Sequence, residues 1–527
     1  MGSLKVLVLD NLHASGVKVF AREGIEVDVK EKIKPEELAK IIDNYDGIAI
    51  RGATEITAQI FDGISRLKVI GRAGAGTDNI DKIIATKKGI VIMNTPGGNT
   101  ITTGEHTIAL MLALARQVPQ ASASMKEGMW EKKKFIGTEL TDKVLGIVGI
   151  GNIGKVVAER ALGLKMVVLG YDPYVPNEDL LKLGVEPVSL DNLYSRSDFI
   201  SFHTPLTPET KGMINTQAIN KMKKGVYIIN CARGALINEL DLLKALQSNH
   251  VKGVAIDVYP VEPPSPDTSL YKHPNVILTP HLGASTMEAQ ERVAIQIAEQ
   301  ISDYLKKGII RNSVNFPCVA PELLPILRPY LSLCEKLGSF HGQLLKDPLK
   351  ELRVEYLGDA SKLTIASLTI SVLKGLLQHQ TEDVNLVNAR MIAEERGIKI
   401  TETKSTKIEN YASLINVITI TEKKETSVSG ILFGNIQKVM NINFFPIEAE
   451  LSGGILLLEN QDVPGVVGRV GTFLGNKNIN IAGFQLGRNE PGGIAISLIN
   501  VDNHVPEDVL SQLAKLPNIT SARYLTF

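Results

Sequence analysis

Two doubly wound α/β units followed by two smaller α+β units are predicted by three features of the sequence. Short β-branched apolar runs alternate with helical stretches as far as Lys306. A glycine-rich turn of dinucleotide-binding type stands deep in the chain, at Gly149, instead of after the first strand. Residues 452–527 read strand, helix, strand, strand, helix, strand, a ferredoxin-like order. At 527 residues the chain is too long for a single core.

The first unit alternates strand-like and helical segments: Val6 to Leu9, Ala14 to Glu23, Val27 to Val29, Pro35 to Ile42, Gly47 to Ile50, Ile56 to Phe61, Val69 to Gly71 and Val91 to Met93. Asp10-Asn11-Leu12-His13 follows its first strand, with no glycine fingerprint, so this unit is expected to hold substrate and not cofactor. A mostly apolar helix from Thr100 to Val118 is expected to cross to a second unit.

That second unit opens with an apolar run, Val144 to Ile150, then a helix from Lys155 to Leu164 and a strand from Met166 to Tyr171 that ends at Asp172. Within this βαβ frame, Gly149-Ile-Gly151-Asn-Ile-Gly154 has a mechanical reading. Gly149 permits the tight turn, Gly151 admits a pyrophosphate to the backbone, and Gly154 lets helix and strand pack closely, leaving helix N-terminal N–H groups facing the phosphates. Asp172 would accept hydrogen bonds from the adenosine ribose and repel a 2′-phosphate, which favours NAD over NADP. Further strands at Phe199 to Thr204, Val226 to Cys231, Gly253 to Val258 and Val276 to Thr279 extend a parallel sheet.

A long helix from Ser285 to Lys306 is expected to return the chain to the first unit. The expected domains are therefore a discontinuous substrate unit (1–98 and 285–317), a cofactor unit inserted in it (99–284), an α+β unit (318–451) and the ferredoxin-like tail (452–527). Prolines 317, 321, 325 and 329 mark the third boundary. In the third unit strands are expected at Glu351 to Tyr356, Ile398 to Thr401, Val417 to Thr421 and Ser427 to Leu432, with helices near Thr364 to Leu377 and Val384 to Glu395.

Composition removes several classes of function. Lys plus Arg and Asp plus Glu each total 57, with no long run of one sign, so nothing marks nucleic acid or an anionic membrane as a partner. The N-terminus carries neither a cleavable signal pattern nor a spanning apolar run, and Gly2 completes no acylation signal because Val6 stands where Ser or Thr is required. Cys231, Cys318 and Cys334 form neither a disulfide framework nor a metal cluster, so no metal is expected and a reducing cytoplasm fits.

Three motifs fall on loops after strands of the cofactor unit, where open parallel sheets place their ligands: Asn230-Cys-Ala-Arg233-Gly-Ala-Leu, Asp257-Val-Tyr-Pro-Val-Glu262-Pro-Pro and Thr279-Pro-His281-Leu-Gly-Ala-Ser-Thr. With these, residues 4–317 resemble the D-isomer-specific 2-hydroxyacid dehydrogenases, and the remainder resembles the long-form branch with an intervening and an ACT domain that oxidises 3-phosphoglycerate. The chemistry suits the residue types. Removing an alcohol proton as hydride leaves carbon needs a base near neutrality, for which His281 is the candidate. Glu262 would hold the other imidazole nitrogen and fix the tautomer. Arg233 offers a planar fork to the substrate carboxylate and nascent carbonyl. His13, His106, His203, His250, His273, His341, His379 and His504 are read as structural.

The resemblance implies further contacts. For the cofactor these are Asn152, Ile153, Thr204, Cys231, Ala232, Arg233, Asp257, His281, Gly283 and Ala284, besides the fingerprint and Asp172. For substrate they are Arg51 and Arg72 on the phosphate, the backbone at Ala73 and Gly74 on the carboxylate, and Asn99 at the hinge. Family members often carry Ser at position 52 and Thr at 75, where this chain has Gly52 and Ala75. Trp130 and Lys132 fall on a loop that the resemblance packs against a second subunit, implying a homo-oligomer, dimer or tetramer. In the tail, Asn460, Asp462 and Asn480 correspond to L-serine contacts across paired modules, and Asn460 departs from the His or Tyr of relatives. Two other readings are a reductase of hydroxypyruvate or glyoxylate, and an NAD-sensing corepressor that binds protein partners. The arginine pair and the tail argue against the first, the tail against the second.

Overall fold

The computed structural model describes residues 3–318, 321–408 and 410–527; Gly2, the residue considered for acylation, lies outside them. The first sheet is five-stranded and wholly parallel, order β2-β1-β3-β4-β5, from β1 (Lys5–Val8), β2 (Glu26–Val29), β3 (Gly47–Ile50), β4 (Val69–Arg72) and β5 (Val91–Asn94). Side chains alternate along each strand, so both faces are buried. Val6, Val8, Val69 and Val91 enter one core, whereas Leu7, Leu9, Ile48, Ile70 and Ile92 enter the other.

The first of those cores is closed by the Met287–Lys307 helix, the segment expected to return. Thr286 caps its N-terminus on Ala289 N–H, and Gly308, left-handed at φ 66°, ends it after Lys306 and Lys307. Its buried stripe of Val293, Ala294, Ile297, Ala298 and Ile301 has helical spacing, and each large member contributes roughly 1.5–3 kcal/mol by burial. The chain then adds residues to the open edge of β5, where Val314 N–H donates to the Ile92 carbonyl.

The Thr100–Arg116 helix crosses to the second sheet, also parallel: β6 (Val144–Val148), β7 (Val167–Tyr171), β8 (Glu186–Pro187), β9 (Phe199–Phe202), β10 (Val226–Asn230), β11 (Val251–Ile256) and β12 (Val276–Leu278). Their order, β12-β11-β10-β9-β6-β7-β8, reverses direction between β6 and β9. The loops after these two strands therefore border a crevice, the usual seat of a ligand in such sheets. The crossing helix stops at Gln117, left-handed at φ 52°, and a second helix (Val118–Lys126) that the sequence reading did not anticipate follows.

In the third unit the sheet is mixed, order β14-β13-β15-β16-β17-β18, from β13 (Leu349–Gly358), β14 (Lys399–Ser405), β15 (Ser413–Thr421), β16 (Glu425–Phe433), β17 (Ile436–Ile442) and β18 (Phe445–Glu450). Two long helices, Leu324–Leu344 and Ile365–Leu377, pack against each other and cover it. The first contains Pro325 and Pro329, two of the four prolines read as marking the boundary. Pro325 occupies the first turn, where its missing N–H costs nothing. The tail forms β19 (Gly454–Gln461), β20 (Ile481–Arg488), β21 (Ile494–Val501) and β22 (Ile519–Thr526) in the antiparallel order β20-β21-β19-β22, with helices Val466–Asn476 and Glu507–Leu513. Among the described residues no helix is long and apolar enough to cross a membrane.

Candidate active site

The glycine-rich turn follows β6 at the crevice. Gly149 has φ 94°, and a Cβ there would lie 2.7 Å from the His203 carbonyl oxygen. A Cβ on Gly154 would collide with the Gly149 carbonyl, whereas one on Gly151 would meet nothing within 4 Å. The backbone is thus compressed at two glycines and open at the third, as a pyrophosphate cradle requires. Gly151 caps the Asn152–Gly163 helix with no side chain on its N–H groups, which leaves Asn152 and Ile153 in the first turn at the anion position. Asp172 follows β7; its carboxylate accepts from Ile150 N–H at 2.8 Å and Tyr174 N–H at 2.9 Å, tying it to the glycine-rich loop. Opposite, after β9, the Thr204 hydroxyl and His203 Nδ1 are buried without partners. Unsatisfied polar groups beside an open cradle fit a polar ligand such as NAD.

Arg233 is set by the end of β10. Buried Asn230 accepts from Ala232 N–H at 3.0 Å and donates to the Arg233 carbonyl at 2.9 Å, closing the turn. Arg233 Nη1 donates to the Ala232 carbonyl (2.7 Å) and Nε to Asp78 (2.9 Å), a residue of the first unit. Cys231 and Ala232 are buried in this turn, and burial pushes the Cys231 thiol up to about 12, so it stays protonated.

His281 and Glu262 meet at 2.7 Å through Nδ1 and Oε2. Glu262 Oε1 also accepts from Tyr259 N–H at 3.1 Å. Burial alone would raise the Glu262 carboxyl, but the bonds from His281 and Tyr259 outweigh it and hold it below its ordinary value. His281 has φ 55°, in the left-handed region, and its loop is held from beneath by Asp257. That carboxylate is wholly buried and accepts from the Thr279 hydroxyl (2.6 Å), Leu282 N–H (2.7 Å) and Gly283 N–H (2.9 Å), while His106 lies 3.2 Å away. The structure therefore places Asp257 under the loop that carries His281, with Gly283 and Ala284 following on that loop. Tying Gly283 further, its carbonyl accepts from Thr103 at 2.8 Å.

The first unit presents its cations from strand ends. Arg51 follows β3, its N–H bonded to Asp10 at 2.8 Å, and Arg72 ends β4. Arg72 Nε is buried without a partner, and burial, followed by the Arg233 charge and weakly that of Arg51, pulls its pKa down to about 10. Arg72, unsatisfied at Nε and within electrostatic range of two further guanidiniums, has surroundings that suit an anion. Ala73 N–H is committed to the Ile50 carbonyl and the Gly74 carbonyl to Thr95 N–H, so this backbone is rigid. Asn99 begins the crossing helix with its Oδ1 buried and unpartnered. Two participants went unanticipated, Asp78 and His106. Each meets its partner from across the chain, and only structure reveals it.

In the tail the three candidate effector residues do not converge within one chain. Asn460 is buried on β19 and bonded to Ser497 at 3.3 Å. Asp462 pairs with Arg488 at 2.8 Å, and Asn480 donates to Asp502 at 2.6 Å. Arg488 ends β20 and Asn480 precedes it, so Asp462 and Asn480 lie at opposite ends of that strand, roughly 25 Å apart.

A histidine paired with a carboxylate, a group of arginines at strand ends and a dinucleotide cradle are together the equipment of a dehydrogenase acting on anionic hydroxy acids. Known proteins narrow this. The family profile described as D-isomer specific 2-hydroxyacid dehydrogenase, NAD binding domain, matches residues 108–283, D-3-phosphoglycerate dehydrogenase intervening domain matches 326–443, and ACT domain matches 454–518. D-3-phosphoglycerate dehydrogenase of Archaeoglobus fulgidus is 42% identical over 99% of this chain and 100% of its own. That of Synechocystis is 42% identical over 98% and 94%. Among solved structures, an NAD-dependent formate dehydrogenase from Staphylococcus aureus in complex with NAD has a TM-score of 0.53 and 30% identity over 59% of this chain and 98% of its own. The chain belongs to the D-3-phosphoglycerate dehydrogenase family, and is an NAD-dependent oxidoreductase with an ACT domain.

Proposed function

We propose that the chain oxidises D-3-phosphoglycerate at C2 to 3-phosphohydroxypyruvate, the first step of the phosphorylated route to serine. The observation that carries this is the His281–Glu262 pair at 2.7 Å, in a chain whose strand ends also bring Arg51 and Arg233 within electrostatic range of Arg72. Gly149 to Gly154, Asp172 and Thr204 would hold NAD, which would supply the acceptor for the C2 hydride. Nε2 of His281 takes the hydroxyl proton, because Nδ1 is occupied by Glu262. Glu262 stabilises the imidazolium that results. Arg233 clamps the carboxylate and draws the forming C2 carbonyl oxygen into place, while Arg72 and Arg51 take the phosphate and Asn99 orients the substrate at the hinge.

The tail supports feedback by L-serine. Because Asp462 and Asn480 lie at opposite ends of β20, a second copy running antiparallel would bring one chain's Asp462 to the other's Asn480. Asn460, buried against Ser497, would shape that pocket from within. Association of copies, as a dimer or tetramer, is favoured also by the loop where Trp130 is 80% exposed beside exposed Met129 and Ile136, with Lys132 next to it. Three free cysteines suit the cytoplasm. The test is NADH formation from 3-phosphoglycerate and NAD, with and without L-serine. Turnover that serine suppresses is expected. Absence of turnover would overturn the assignment, and turnover indifferent to serine would overturn only the regulation.

A further inference from the structure

We propose that Asp78 is the positioning residue of Arg233, performing for the arginine what Glu262 performs for His281, and that it does so across the cleft between the two units. The inference rests on the proposed role of Arg233. Asp78 follows β4 in the first unit and reaches Arg233 Nε at 2.9 Å, over 155 positions of sequence. The guanidinium is held on two further sides. Its Nη1 donates to the Ala232 carbonyl at 2.7 Å, and its Nη2 lies so near the chain at Gly76 that a Cβ there would approach to 2.5 Å. Glycine at 76 is thus the condition for this seat.

The bond at Nε turns the plane of the fork, and Nη2 remains without a side-chain partner, available to an anion. Folding gives little reason for the pair. Asp78 is 63% exposed and Arg233 35%, and exposed ion pairs add little stability. The charge balance gives a reason. Arg233 and Arg51 both repel Arg72, and Asp10, another carboxylate acting on Arg72, is already bound by Arg51 N–H and by the Thr54 N–H and hydroxyl. Asp78 offsets that repulsion at the one arginine that must also face the reacting carbon. Because Asp78 and Arg233 belong to different units, the fork is aligned only when the cleft has the width seen here. The reaction gains a check on closure before the proton moves.

The test compares Asp78→Ala, Asp78→Asn and Arg233→Lys in the full-length enzyme, with steady-state rates on 3-phosphoglycerate at constant ionic strength. Asp78→Ala is expected to lower kcat tenfold or more with an unchanged melting temperature, and acetate, supplying a free carboxylate, is expected to restore several-fold activity to this variant and none to wild type. Asp78→Asn, which keeps an acceptor but loses the charge, should fall between. If Arg233→Lys is severely impaired while Asp78→Ala retains wild-type kcat, Asp78 is a surface ion pair and the proposal fails. A fall in kcat that tracks a fall in melting temperature and is not restored by acetate also overturns it. If Arg233→Lys itself is fully active, the role of Arg233 is what fails.

Discussion

Replacing Glu262 by Gln tests the base assignment most finely, because the amide keeps the shape and changes two things only. It can still accept from Tyr259 N–H, as Oε1 does at 3.1 Å. Toward His281 it can present an N–H, which makes Nδ1 the acceptor and places the ring proton on Nε2, where the substrate hydroxyl must deliver its own. The wrong tautomer alone costs up to about 10⁴ in kcat in a comparable carboxylate–histidine pair. The lost charge adds to this. At an effective dielectric near 20, a carboxylate about 4 Å from an imidazolium is worth about 4 kcal/mol, and solvent screening of a pair this exposed reduces that to about 1–2 kcal/mol. A loss of at least about 10²-fold in kcat is therefore expected, with melting temperature unchanged. The pH profile gives a second reading. Glu262 is held below its ordinary value of 4.5, so the pair's contribution is complete above 4.5 and is lost only as pH falls through the lower folded value. From pH 5 upward the carboxylate stays ionised, and the acid limb of log kcat/KM should have slope 1, with no second step from Glu262. Less than tenfold loss in Glu262→Gln, or an acid slope of 2, would refute the reasoning.

The other expectations follow the same geometry. His281→Asn should lower kcat by at least about 10²-fold while NADH binding, followed by fluorescence, is retained. Gly154→Ala should weaken NADH binding at least tenfold and lower the melting temperature, since its Cβ has only the Gly149 carbonyl to displace. Arg72→Ala should raise KM for 3-phosphoglycerate by about tenfold to a hundredfold with a smaller change in kcat, as befits loss of one charged contact to a phosphate remote from C2.

What the sequence disclosed depended on distance along the chain. The glycine-rich turn and the loops that pair Glu262 with His281 were legible because each is a short motif at a strand end, where a parallel sheet delivers its loops to one edge. The Met287–Lys307 helix was legible as a long helical stretch after the last strand of the second sheet. The Leu324–Leu344 helix was hidden by Pro325 and Pro329, since proline punctuates loops and helix starts alike. The β17–β18 hairpin was hidden because it turns on Asn443 at φ 53° and Phe444, with no glycine to mark it. Partnerships between units were beyond reach. Nothing near Arg233 announces Asp78, and the motif around Asp257 gives no sign that its carboxylate is buried under the His281 loop. Asn460, Asp462 and Asn480 are close in sequence, yet the strand between them holds two of them apart.

The central claim, that this cleft is built for a phosphorylated hydroxy acid, is tested most directly by comparing kcat/KM for D-3-phosphoglycerate with that for D-glycerate, which lacks only the phosphate. With Arg72 half-buried, its Nε buried and unsatisfied, and joined by Arg51, a preference of at least about a hundredfold for the phosphorylated substrate is expected. Equal kcat/KM for the two, or faster turnover of glyoxylate or hydroxypyruvate with NADH, would contradict it.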